Sequence, residues 1–228
     1  MPEGPLLMAS PTKDRPRTRI QREKQDVILD AALNVFSVHG FRGATIDQIA
    51  EAAGMSKPNL LYYFASKEEI HRRLLEEMLD LWLDPLRALD AEGDPMPELR
   101  SYIRRKLEMA RDFPRESRLF ANEMLQGAPH AIDVLEGELK QLVDAKAQVI
   151  EAWMAEGRIA RTDPYHLIFS IWATTQHYAD FDVQVRAVLG KDRGGEERFE
   201  DAARYLENLF MNGLVPKAVE NCSVDEFM

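Results

Sequence analysis

The sequence predicts an all-α protein of about nine helices, with a small N-terminal three-helix unit and a larger C-terminal helical domain. Apolar residues recur at spacings of three and four through most of the 228 residues, which is the period of a helix with one buried face. Helix-start signals precede these stretches, and glycine or proline follows them. No stretch alternates apolar and polar residues as a half-buried strand does, so sheet-containing fold classes are disfavoured.

The first predicted helix follows a basic arm. Residues 1–19 combine four prolines with basic side chains, a composition that cannot form a helix and predicts a disordered arm able to order on DNA. Residues 21–39 then carry an apolar stripe, which predicts a scaffold helix that packs beneath the next two and ends at Gly40. We place the helix-turn-helix DNA-binding domain at residues 20–67.

The next helix begins after Thr45. Thr45 and Gln48 have the three-residue spacing of a capping box, in which the two side chains satisfy each other's free backbone N–H groups. The apolar stripe that follows ends at Gly54, whose tolerance of positive φ suits a helix stop. A helix over residues 46–53 is therefore predicted.

A second helix restarts almost at once. Ser56 is a favourable N-cap, and Pro58 falls in the first turn, where a missing N–H costs nothing. Two helices joined this closely cross at a steep angle, so the second can project into a DNA major groove. Ser66 and a glutamate three residues later form another capping box, which begins a long helix predicted to reach Ala91 with a bend at Pro85.

The C-terminal domain, residues 68–214, is predicted to hold five further helices. Asp163 and Pro164 form a strong start signal, because aspartate caps a helix and proline suits its first position. The GKDRGG run breaks the chain near its end, and residues 215–228 are predicted to be a flexible acidic tail. The five helices are predicted over residues 98–111, 115–126, 131–156, 164–189 and 196–211.

The charge is distributed unevenly. The net charge of −10 by itself argues against a nucleic-acid partner. Residues 1–67, however, hold nine Lys or Arg against seven Asp or Glu, a local balance of +2 that leaves −12 for the remainder. Attraction to phosphate is thus confined to one end of the chain. The single cysteine, Cys222, fits a reducing cytoplasm, and no apolar run reaches membrane-spanning length.

The run T…IA..AG.S…L.YYF.SKE within residues 45–69 is similar to the DNA-binding domain of the TetR family of one-component regulators. The resemblance implies that the second helix of this unit reads a palindromic operator. Thr45 and Ser56 are expected to present hydroxyls to phosphate, and Asn59 to influence sequence preference. The predicted DNA-binding residues are Thr45, Ser56, Lys57, Pro58, Asn59, Tyr62, Tyr63 and Lys67.

The same resemblance implies a homodimer in which the last two helices pair as a four-helix bundle across a two-fold axis. Apolar side chains on those helices are expected to form the contact, and coupling between sites is expected to run through the helix over residues 66–91. The expected dimer residues are Ile168, Ile171, Tyr178, Phe199, Leu206 and Phe210.

A helix beginning at Pro164 carries the clearest candidate for an effector site. Phe169, Trp172 and Gln176 share one face at i, i+3 and i+7, so an amide projects from an aromatic stripe. A buried amide requires hydrogen-bond partners, which either a neighbouring backbone or a planar ligand can supply. Trp82 on the long helix can likewise be core or ligand contact, and the residues alone leave both alternatives open.

Segments including LDLWLDPL and HLIFSIWATTQHYADF resemble the pyrimidine-utilisation branch of the family, whose regulators sense uracil or thymine. The resemblance implies that Trp82, Phe169, Trp172 and Gln176 bind the pyrimidine, with the amide pairing to the imide and the indoles covering the ring. The implied function is a repressor of pyrimidine metabolism that uracil or thymine releases from operator DNA. No cofactor is expected.

Two other functions compete with this one. The first is a multidrug-type repressor of the same family with a hydrophobic pocket, and the polar Gln176 amide argues against it. The second is an enzyme or binding module that has the same helical fold. No G-x-S-x-G, P-loop or paired-carboxylate spacing supports an enzyme. The histidines lack HExxH or CxxC companions, so no metal site is predicted among them: His39, His71, His130, His166 and His177.

Overall fold

The computed structural model describes residues 19–195 and 197–216. The basic arm and the acidic tail predicted at the two ends therefore lie almost wholly outside the described residues. Within those residues every regular element is a helix, which confirms the all-α prediction. This part of the chain has ten helices, when the consecutive helical stretches from Ile132 to Ala155 are taken as one.

The helices follow one another with short connections. The N-terminal helices are α1 (Arg19–Gly43), α2 (Ile46–Ala52), α3 (Lys57–Tyr63) and α4 (Lys67–Arg87). The central ones are α5 (Pro95–Asp112), α6 (Pro114–Leu125) and α7, which comprises Ile132–Val134, the π-helical Leu135–Leu139 and Lys140–Ala155. The last three are α8 (Pro164–Asp180), α9 (Asp182–Arg193) and α10 (Glu197–Leu214).

The predicted helix boundaries around the turn are confirmed. Thr45 Oγ1 accepts a hydrogen bond from the Gln48 N–H at 3.2 Å, and the Thr45 N–H donates to Gln48 Oε1 at 2.8 Å. Ser56 caps α3 in the same way. Gly40, with φ 64° and ψ 174°, interrupts the helical geometry of α1, and Gly54, with φ 65°, follows α2. Each of these signals is local, so the sequence alone could reveal it.

The prediction of one helix over residues 164–189 is wrong. The helix stops at Phe181, whose φ of −113° and ψ of 29° are not helical, and α9 starts afresh at Asp182. Arg198 is only 6% exposed and donates to Asp182 Oδ1 at 2.7 Å. This partly buried ion pair joins α10 to the start of α9, and no pattern of neighbouring residues predicts it.

The fourth helix ends at Arg87, earlier than the predicted Ala91. The Lys146 ammonium donates to the Arg87 carbonyl at 2.9 Å and to the Leu89 carbonyl at 2.7 Å. A lysine of α7 thus satisfies carbonyl groups that a continued helix would have bonded itself.

Two hydrophobic cores share this fourth helix. The first lies beneath α1, α2 and α3 and includes Ile70 and Trp82 of α4, together with residues of α6. The second lies among α5, α7, α8 and α10 and begins with Leu86 of α4. Because α4 contributes to both, it physically joins the helix-turn-helix unit to the larger domain. None of the helices in the two described ranges has the length and apolar character needed to cross a membrane.

Candidate DNA-binding and effector sites

The turn between α2 and α3 presents an exposed polar face. Ser56, Lys57, Pro58 and Asn59 are all exposed at the start of α3, and one turn later Tyr62 is 72% exposed. Hydroxyl, ammonium, amide and phenol groups are those that proteins use on phosphates and base edges. The structure therefore places these predicted DNA contacts on one accessible surface.

Two members of this face already have partners within the protein. The Lys57 ammonium lies 2.9 Å from Asp47 Oδ2, with both side chains about half exposed or more. An ion pair so exposed contributes little to stability, so a phosphate can replace the aspartate at small cost. The Thr45 hydroxyl lies 3.0 Å from Gln48 Oε1, and the residue is exposed.

Tyr63 and Lys67 occupy less open positions. The Tyr63 ring is half-buried against the first core and lies 5.1 Å from the Tyr62 ring, nearly perpendicular to it. The Lys67 ammonium donates to the carbonyls of Phe41 and Ala44, each at 2.8 Å. An ammonium has three N–H groups, so these two bonds position the chain before α2, and the contact of Lys67 with DNA stays a prediction.

The candidate effector site contains a buried donor without an acceptor and, beside it, a buried ammonium group. Trp82 is 7% exposed, and its indole N–H has no hydrogen-bond partner among the described residues. The Lys106 ammonium lies 5.1 Å from the centre of the Trp82 ring, and Lys106 is 2% exposed. Burial lowers the pKa of Lys106 to about 7, against the attraction of Asp180. Buried donors without acceptors are costly, so this region is suited to a ligand that brings acceptors.

The remaining candidate side chains belong to α8, and one of them, Asp180, attracts the Lys106 ammonium. Trp172, Gln176 and Asp180 are spaced four residues apart on that helix, and the Trp172 indole donates to the Tyr102 hydroxyl at 2.6 Å. Asp180 Oδ1 accepts a bond from the Ser117 hydroxyl at 2.5 Å. Burial raises the pKa of Asp180, although that hydrogen bond lowers it. Gln176, between the two, is half-buried, and its amide makes no hydrogen bond to the described residues.

Phe169 is placed differently from the other predicted ligand contacts. It is 47% exposed, and its ring lies 5.7 Å from the Trp172 ring. Phe169 therefore contacts Trp172 and is partly open to solvent. The roles of Trp82, Phe169, Trp172 and Gln176 in ligand binding stay predictions.

Sequence reasoning missed Tyr102 and Lys106 on α5 and Asp180 on α8. One signal was available, because Lys106 interrupts an otherwise apolar face that includes Leu99, Ile103 and Leu107. A charged residue at a core position of an amphipathic helix indicates either a buried ion pair or a ligand site. The cross-helix partners of Tyr102 and Asp180 were not visible in the sequence.

The side chains expected to form a dimer contact are largely core residues. Ile168, Ile171 and Leu206 are at most 3% exposed and fill the second core. That assignment of faces is wrong, because the apolar stripes of α8 and α10 pack against α5 inside the protomer. The apolar side chains that these two helices leave exposed are Tyr165, Phe169, Tyr205 and Leu209.

Comparison with known proteins gives a consistent result. The sequence profile described as "Bacterial regulatory proteins, tetR family" matches residues 28–74, and that of the "YcdC-like protein, C-terminal region" matches residues 75–217. The chain is 47% identical over 201 residues to the HTH-type transcriptional regulator RutR of Escherichia coli (strain K12), covering 88% of this chain and 95% of the relative. It is 28% identical over 200 residues to the transcriptional repressor NicS of Pseudomonas putida, covering 83% and 92%.

Solved structures show the same fold at low sequence identity. The ketosteroid transcriptional regulator KstR2 of Mycobacterium tuberculosis superimposes with a TM-score of 0.68 at 22% identity, covering 85% of this chain and 96% of that one. AibR in complex with isovaleryl coenzyme A and operator DNA gives a TM-score of 0.67 at 19% identity, covering 82% and 97%. These relatives are regulators and not enzymes. With both halves of the chain matched and a close relative along most of its length, the protein belongs to the TetR family of transcriptional regulators.

Proposed function

We propose that this protein represses genes of pyrimidine utilisation in the bacterial cytoplasm, and that uracil or thymine releases it from operator DNA. The proposal rests on the 47% identity to RutR and on the resemblance to pyrimidine-utilisation regulators. The observation that carries it is the buried Trp82 indole N–H, which has no hydrogen-bond partner among the described residues and lies beside the buried Lys106 ammonium.

A pyrimidine imide satisfies the chemistry of this region. Uracil and thymine each have two carbonyl acceptors flanking an N–H, in one plane. The unpaired amide of Gln176 offers an acceptor and donors to such an edge, and Trp82 and Lys106 offer donors. The Trp172 ring, held by its bond to Tyr102, supplies an aromatic face for stacking. With about eight heavy atoms in the ligand, micromolar affinity is realistic.

An apolar effector of the multidrug type fits less well. It would leave the Trp82 N–H, the Lys106 ammonium and the Gln176 amide without partners in a site from which it excludes water. Each unsatisfied buried donor costs about 1–3 kcal/mol, and a charged one costs more. The region therefore favours a polar, planar ligand.

Operator binding is proposed to use a homodimer. The exposed apolar residues Tyr205 and Leu209 lie one turn apart on α10, and Tyr165 and Phe169 lie one turn apart on α8. The Tyr178 ring of α8 lies 6.4 Å from the Phe199 ring of α10, so the two helices are neighbours. Pairing both with their symmetry mates would set two α3 helices about 34–36 Å apart, one turn of DNA.

The effector assignment is tested with Gln176→Ala. Uracil and thymine should stabilise the wild type in thermal-shift assays more than cytosine or uridine does, and each should release the operator in gel shifts. Gln176→Ala should weaken uracil binding about tenfold or more, because it removes hydrogen bonds in a buried site, and should keep operator affinity. Gln148→Ala, an exposed amide on α7, is the matched control. Unchanged uracil affinity for Gln176→Ala in calorimetry would show that the amide is structural.

The DNA assignment is tested with Lys57→Ala and Lys67→Ala. Lys57→Ala should reduce the slope of log affinity against log salt by about 2 for a dimer, since each neutralised phosphate contributes about 0.9. Lys67→Ala should lower the salt slope as well, and it should also lower the thermal midpoint, because it removes the bonds to the carbonyls of Phe41 and Ala44. Lys191→Ala, an exposed lysine of α9, should change neither. The placement is refuted if Lys57→Ala keeps the wild-type slope.

A further inference from the structure

Three potential metal ligands from distant parts of the chain meet beside the helix-turn-helix unit. They are His71 in the second turn of α4, Glu123 near the end of α6, and His130 in the turn that follows α6. One ligand atom from each lies within 4.8 Å of the others. This cluster lies apart from the proposed effector site and plays no part in the proposed recognition of DNA.

The cluster is buried, and its hydrogen bonding is incomplete. The side chains of His71 and Glu123 are each 1% exposed, and that of His130 is 22% exposed. His71 Nδ1 has no hydrogen-bond partner among the described residues. Its other nitrogen, Nε2, lies 3.9 Å from Glu123 Oε2, beyond hydrogen-bonding distance. A buried imidazole thus lacks a hydrogen bond at both nitrogens, an arrangement that calls for a further partner.

The carboxylate is held in place to act as a ligand. Glu123 Oε1 accepts a hydrogen bond from the His130 backbone N–H at 2.6 Å, which leaves Oε2 directed towards the imidazoles. Oε2 lies 3.3 Å from His130 Nδ1. Imidazole nitrogens and carboxylate oxygens are both common ligands of divalent transition metals.

We propose that His71, Glu123 and His130 form a binding site for a divalent transition-metal ion of the zinc class. Ligand atoms about 2.0–2.2 Å from a tetrahedral Zn²⁺ lie about 3.3–3.6 Å apart. Two of the three observed separations, 3.3 and 3.9 Å, are close to those required, and the third is at most 4.8 Å. Two imidazoles and one carboxylate are a zinc ligand set that leaves the fourth position to water. Mg²⁺ and Ca²⁺ prefer oxygen ligands throughout, so the two nitrogens select against them.

The position of the cluster gives such an ion a structural consequence. Phe41, in the last turn of α1, packs against both imidazoles, with ring centres 4.7 Å from His71 and 4.5 Å from His130. A bound ion would therefore link α4 to the end of α6 directly beneath the DNA-binding unit. Metal binding should make the protein harder to unfold, since the ion binds the folded arrangement and not the separated ligands.

The test uses the full chain carrying Cys222→Ser, which removes the one thiol that could compete for the metal. After treatment with a chelator, this protein should bind one Zn²⁺ per chain in calorimetry, and Zn²⁺ should raise its thermal midpoint. Co²⁺ should give the visible d–d absorption of a tetrahedral site and be displaced by Zn²⁺. His130→Gln should weaken Zn²⁺ binding at least about tenfold and abolish the thermal shift.

The matched control is His166→Gln, which removes an exposed histidine of α8 and should leave Zn²⁺ binding unchanged. His130 lies at the rim of the cluster, so its variant should fold, which is checked by circular dichroism without metal. Glu123→Gln removes the ligand charge and should also weaken binding. Equal Zn²⁺ affinity for His130→Gln and His166→Gln, or binding of less than one ion per chain before any substitution, would overturn the proposal.

Discussion

Replacing Lys106 with methionine should make the effector-free protein more stable while weakening its response to uracil. Methionine preserves most of the volume of the lysine chain but removes a buried ammonium that has no hydrogen-bond acceptor in the described residues. Exchanges of buried charge for apolar side chains are often stabilising by about 1–4 kcal/mol. The same exchange deletes a charged donor to the ligand, so uracil affinity should fall by about 10- to 100-fold.

The gain in stability should depend on pH. The pKa of Lys106 is about 7 in the folded protein against 10.5 for the unperturbed group. Below about pH 7 the folded and unfolded states both carry the charge, and the destabilisation is fully present. Between pH 7 and 10.5 the unfolded state binds more protons, so wild-type stability rises with pH. Urea unfolding should therefore show a larger advantage of Lys106→Met at pH 6 than at pH 9.

Lys146→Met is the matched control for this experiment. Lys146 is also partly buried, but its ammonium donates to the carbonyls of Arg87 and Leu89. Its replacement should destabilise the protein by about 1–3 kcal/mol, because those carbonyls lose their partner. If Lys106→Met also destabilised the protein at pH 6, the ammonium would have an unrecognised partner. The donor role proposed for it would then be wrong.

Substituting Leu209 with arginine should convert the protein to a monomer and greatly weaken its hold on the operator. Leu209 is 51% exposed on α10, one turn from the 63% exposed Tyr205. A charge placed in a paired apolar surface is left without a partner and costs several kcal/mol. A monomer can engage only one half-site, so operator affinity should fall by about 100-fold or more through lost avidity. Light scattering and gel shifts measure the two effects.

Leu125→Arg provides the control, since Leu125 is 85% exposed at the end of α6 and far from the last helices in sequence. It should leave both mass and operator affinity unchanged. The proposed interface would be rejected if Leu209→Arg scattered light as a dimer at micromolar concentration.

The parts of this structure that the sequence predicts are those governed by neighbouring residues. The Thr45 capping box and the positive φ of Gly54 depend on fewer than ten residues each, and the spacing around them identified the DNA-reading unit. The sequence predicts ligand contacts at Trp82, Trp172 and Gln176, because aromatic and amide side chains are unusual on otherwise apolar helix faces. Whether they were core or ligand contacts depended on what faced them.

What could not be predicted depends on contacts between distant residues. The interruption at Phe181 follows the ion pair of Asp182 with Arg198. The apolar stripe of α10 predicts that this face is buried but does not show which surface covers it. Leu206 packs inside the protomer, so the prediction that it lies at the dimer contact is wrong. His71 and His130, each unremarkable in its own segment, become a potential metal site only when the fold joins them to Glu123.

The continuity of α4 through both cores has a geometric consequence. Fifteen residues separate Lys67 from Trp82, and at 1.5 Å per residue they span about 22 Å. If a ligand at Trp82 tilts α4 by about 5°, the DNA-proximal end of the helix moves by about 2 Å over this length. In a two-fold symmetric dimer, the distance between the two α3 helices then changes by about 4 Å. The major-groove sites on one face of DNA repeat about every 34 Å. A change of about 4 Å in the separation of the two α3 helices is several times larger than the range of distances that a hydrogen bond allows. A rotation too small to disturb either core would therefore suffice to lose the operator.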